Sequence, residues 1–126
     1  MPLSKFDAWP DGENERWLHA AQLFGAHLMA ASHDYAVERI PDDASPRERE
    51  LAVAAARDAI YGMMMLFDGV AESDVDDRHS ASYRLIAEVV SADSDQVVEE
   101  LELAPDGDGL CMGYHGWIDG DFSVDS

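Results

Sequence analysis

Lysine occurs once in the 126 residues, as Lys5, and cysteine once, as Cys111. A lone cysteine excludes an internal disulfide, so any stable fold here must come from packing. No apolar run approaches the ~18 residues of a membrane helix, and no charged-then-apolar leader is visible. The sequence therefore predicts no membrane span and no secretion, with the cytoplasm as the compartment. Positive charge of any kind is scarce: eight Lys and Arg stand against 27 Asp and Glu, a formal net charge of −19. Such acidity repels nucleic acid and anionic membrane and argues against direct binding to either. Also missing are HExxH, the Glu-x-x-His spacing of di-iron bundles and a Gly-rich phosphate cradle.

What is present suffices for one domain. Hydrophobic residues make up 47% of the chain, and the length allows a core without staples. The acidity is uneven: residues 1–67 carry net −5, whereas residues 68–126 carry 16 acids against two bases, net −14. A solvated surface suited to high salt is one reading of that bias. A face that meets a basic protein is the sharper one.

Residues 1–12 read as an arm anchored by Phe6 and Trp9. Asp11 is placed to cap a helix over Glu13–Glu38, in which Trp17, Ala21, Phe24, Leu28, Ser32 and Tyr35 recur at steps of three and four. IPDDASP, residues 40–46, breaks it. Ser45, Pro46 and Glu48 then form a capping-box signature. The helix they open runs to a stop at Gly69. Leu51, Ala52, Ala55, Ala59, Gly62, Met63 and Leu66 make its main apolar face, and Val53, Ile60, Met64 and Phe67 a second. A helix apolar nearly all round is expected to be buried.

After an acidic loop over residues 70–80 the hydrophobic period changes to two. Ser82–Ser91 and Gln96–Leu103 read as strands around a turn at Ala92–Asp95, forming an antiparallel hairpin. The segment after residue 105 is rich in glycine, yet a short helix over Leu110–Ile118 is the preferred reading. The expected fold is α+β: two long antiparallel helices (13–69) packed on a β-hairpin (80–104), with a short C-terminal helical segment (105–126), all one domain. The pair AIYGMMMLFDG and YHGWIDGDF resembles features of small bacterial domains without an assigned activity; the resemblance implies no catalytic residue.

No candidate chemistry dominates. His19 and His27 lie eight residues apart, about 80° around a helix and two turns distant, too far to share a metal unaided. Asp106, Asp108 and Gly109 start like a calcium loop, but Leu110 stands where the third ligand belongs. No metal and no cofactor are expected. Cys111 and His115 are four apart, the ingredients of a thiolate pair, but an apolar neighbourhood raises a thiol pKa. The residues left as pocket candidates are His27, Asp58, Tyr61 and His115, and no catalytic residue is assigned. Glu88, Glu99, Glu100, Glu102, Asp106 and Asp108 form the candidate acidic face. The expected function is that of a non-enzymatic domain binding a basic protein, as an immunity protein, antitoxin-like inhibitor or adaptor would. A small-molecule-binding domain or minor enzyme, with a pocket between the helices and the sheet, is the alternative. Excess apolar surface on the second helix predicts a homodimer, through helix packing or joined hairpins.

Overall fold

The structure, a computed structural model, describes residues 11–70, 74–105 and 109–122. Phe6 and Trp9 of the arm, with Asp106 and Asp108, lie outside the described residues.

Helix α1 spans Glu13–Leu28, continues through a π-helical segment at Met29–Asp34, and ends as α2, Tyr35–Glu38. Its N-cap is Gly12, with no side-chain cap; Asp11 offers its carbonyl to the Arg16 guanidinium instead. The π segment explains why the expected stripe fails at its far end. Wider turns shift the face that later residues present, so Tyr35, expected inside, is exposed and stacks under Arg39 at 3.6 Å. Within the segment Met29 is buried, and the Ser32 hydroxyl bonds back to the Leu28 carbonyl.

Helix α3, Pro46–Phe67, starts at the capping box: Glu48 N–H donates to Ser45 Oγ at 3.1 Å, and Ser45 N–H to Glu48 Oε1 at 2.8 Å. It ends where Gly69 takes φ +76° and Val70 N–H reaches back to the Met65 carbonyl, a left-handed terminator that glycine adopts without strain. The face that packs is the one built on Ile60 and Met64, with Val53 and Phe67 half-buried. The face expected to be the main buried one is open: Leu51 is 54% and Met63 51% exposed, and Ala52, Ala55 and Ala59 lie at the surface. The sequence shows two apolar faces, and among the described residues only one is covered.

Strands β1, Ile86–Val90, and β2, Val97–Glu102, form the antiparallel hairpin. They are shorter than the alternation implies, and Tyr83 is exposed. Asp95 takes φ +57° in the turn, a conformation Asp tolerates. Val89 pairs with Glu99 but Val90 with Val97, so Val98 is an extra residue in a bulge. Leu85, Ala87, Val89, Leu101 and Leu103 cover the helices.

Helix α4, Leu110–Ile118, fills the space between α1 and α3 and completes the core with Leu110, Tyr114 and Trp117. Trp117 lies against Gly25 so closely that a Cβ there would stand 2.2 Å from the indole. Its Nε1 donates to Gln22 at 2.8 Å, and Phe24 meets it edge-on at 5.9 Å. Among the described residues no helix is long and apolar enough to cross a membrane.

Candidate functional site

The four pocket candidates occupy two places. His27 lies on α1 and lines a cleft of about 370 Å³ between that helix and β1, whose wall is otherwise mostly apolar, with Phe24, Leu85 and Leu103. Asp58, Tyr61 and His115 lie together on the far side of α4, in a depression of about 210 Å³ shared with Arg57 and Tyr114. There the Tyr61 ring stands 5.6 Å from the His115 ring and 6.0 Å from the Tyr114 ring. The expected pocket between helices and sheet thus contains His27 but none of the other three.

Polar groups beside the smaller depression are engaged in structure. The Tyr114 hydroxyl, pushed to a higher pKa first by burial, donates to the Arg57 carbonyl at 2.8 Å. Arg57 Nε donates to His33 Nε2 at 3.0 Å, while His33 Nδ1 lies 3.0 Å from the Asp34 carboxylate. An arginine N–H needs an acceptor, so this geometry assigns the hydrogen of His33 to Nδ1. The contact ties α3 to the π segment.

Asp68, read from sequence only as the residue before a terminal glycine, is the buried charge of the molecule's described part, 4% exposed. Its carboxylate accepts from Leu110 N–H at 3.1 Å and Cys111 N–H at 2.8 Å. It therefore caps the start of α4 from the end of α3, placing a negative charge at the positive end of a helix dipole. The only sequence signal was a carboxylate beside an apolar helix end, and its partners are more than 40 residues away. The Cys111 thiol pKa is raised, first by burial and then by Asp68. That holds it protonated near neutrality, the opposite of an activated nucleophile. Among the described residues no group of three or more His, Cys, Asp or Glu side chains is placed to hold a metal.

The candidate acidic face also divides. Glu99, opposite Val89 on the same face as Leu101, turns inward and takes both oxygens to Arg16 Nε, at 2.8 and 3.0 Å. Glu102 lies 3.6 Å from Arg84, and its carbonyl accepts from the Trp17 indole at 2.8 Å. Glu88 and Glu100 remain outward and exposed, directly opposite each other across the hairpin. Neither has an ion-pair partner among the described residues. Compared with protein-family models, with curated proteins and with solved structures, the chain matches none.

Proposed function

We propose that this chain is a non-enzymatic, acidic protein-binding domain, of immunity, antitoxin-like or adaptor type, that engages a basic partner. The observation that supports it most is the charge bias: 16 acids against two bases over residues 68–126. Of those two bases, Arg84 lies 3.6 Å from Glu102. A field of that sign steers basic proteins and gives fast, salt-sensitive association. Capture from an extract of the native host at low salt tests it. Basic proteins released as salt rises are expected; recovery of no basic protein would overturn the reading.

We also propose a homodimer through the open face of α3, supported by the exposure of Leu51, Ala55, Ala59 and Met63 on one side of the helix. A second reading, small-molecule binding, is favoured by the cleft at His27, whose volume lies within the range of ligand pockets. An apolar dye whose fluorescence rises with wild type but not with Ala87→Phe would support that alternative.

A further inference from the structure

The outer face of the hairpin combines two features that the fold itself does not use. The first is electrostatic. Glu88 and Glu100 are direct cross-strand partners, so their side chains project side by side from the same face, and like charges so placed destabilise a strand pair. Glu99 and Glu102, on the same strand, each lie beside an arginine, whereas no cation among the described residues reaches Glu88 or Glu100. The second is apolar. Ile86 and Val90 flank Glu88 on β1, and Val97 and the bulged Val98 lie beyond Glu100 on β2; all four are exposed, Val98 at 65%. The centre of the face is thus two carboxylates, with Val90, Val97 and Val98 at one end and Ile86, opposite the Arg84-paired Glu102, at the other.

From this we infer that the outer face of the hairpin is the docking surface of the proposed basic partner, an inference that rests on the acidic-binding reading. The occupant is an amphipathic protein segment that sets a lysine or arginine between Glu88 and Glu100 and lays aliphatic side chains on Ile86, Val90 and Val98. Charge complementarity selects it. A second copy of this chain stacked face to face on this hairpin would bring the same two carboxylates onto the first pair, so that arrangement is disfavoured. A cation placed between two carboxylates removes their mutual repulsion as it forms its own contacts, so binding and hairpin stability rise together. Aliphatic flanks add the apolar contact that a purely ionic encounter lacks.

The probe is a synthetic peptide repeating Val-Ser-Lys-Ser, which when extended sets valine and lysine along one face, titrated calorimetrically into the full chain. Wild type is expected to bind it, less tightly as salt rises. The double variant Glu88→Gln, Glu100→Gln is expected to bind about tenfold more weakly. A second double variant, Asp76→Asn with Asp77→Asn, removes the same formal charge from the loop over residues 74–80 and is expected to bind within about twofold of wild type. Val98→Ser, which removes aliphatic contact and no charge, is expected to weaken binding. Thermal melts run alongside should show the Glu88/Glu100 variant at least as stable as wild type, since it loses a repulsion. Equal weakening by the two double variants would mean that net charge alone attracts the peptide; the docking face would then be wrong and the basic-partner reading would stand. No binding to wild type at low salt would remove both.

Discussion

Two residues that carry structural weight, Asp68 and Gly25, do so through partners distant in sequence. Asp68 supplies both capping bonds of α4 from inside the core, so Asp68→Ala leaves two N–H groups without acceptors. Loss of charge-assisted bonds of this kind costs roughly 2–3 kcal/mol, to be read as a lower urea midpoint. The same carboxylate raises the Cys111 pKa after burial has done so, and this gives a chemical readout. Alkylation of native protein should be slow at neutral pH, and its pH midpoint should fall in Asp68→Asn; an unchanged midpoint would show that Asp68 does not act on the thiol. Gly25→Ala drives a methyl into the Trp117 indole, which must move or strain for about 1–3 kcal/mol. Neither effect was legible beforehand. The capping of α4 and the seating of Trp117 are contacts between elements, and residue type alone does not say which aspartate or which glycine will be used.

At the scale of elements, local chemistry was most readable where it is self-contained. The capping box needs only residues 45–48, the Gly69 stop only the end of its own helix, and both stand where the residues placed them. Helix α4 likewise keeps the bounds read for it, because Trp117 and Tyr114 gain burial that outweighs glycine's poor propensity. What local pattern misses is which face meets a neighbour. Two apolar faces on α3 look alike in sequence, and the choice between them depends on where α4 enters. The π segment is equally silent, since it alters bonding without a proline or glycine within it. The capping box yields a pH test. Ser45 holds the Glu48 pKa below the ordinary carboxylate value, chiefly through the Ser45 backbone N–H and then its hydroxyl. A depressed folded pKa means stabilisation that is full above the unfolded value and lost as pH falls through the folded one. Glu48→Ala, which removes the carboxylate itself, should therefore lower the thermal midpoint near neutrality. The gap from wild type should narrow in acid melts. A gap constant down to pH about 2 would show that Glu48 is not linked to the cap.

For the whole molecule, net charge and the uncovered face of α3 act in opposite directions. A chain at −19 repels itself, both within the fold and between copies, and salt screens this within a Debye length of about 10 Å at 0.1 M. Thermal midpoints should rise as ionic strength rises, and a fall would show that ion pairs such as Arg16–Glu99 outweigh the repulsion. The proposed homodimer should tighten with salt as well, which sets it apart from the peptide docking that salt weakens. Helix α3 is suited to self-association because its charges balance: Arg47, Arg49 and Arg57 against Glu48, Glu50 and Asp58. Gly62 points the same way. A Cβ built there meets nothing within 4 Å, so the monomer does not need a glycine, and mid-helix glycine costs roughly 0.5–1 kcal/mol against alanine. Close approach of a second helix would account for the missing side chain. Sedimentation equilibrium over about 1–100 µM protein at high salt should show masses rising above the 13.9 kDa chain. Gly62→Leu and Ala59→Glu should restore the monomer, whereas Glu88→Gln, on the hairpin, should not change the mass. A wild type that stays monomeric throughout, or a dimer indifferent to both α3 substitutions, would leave that face without a second copy to cover it.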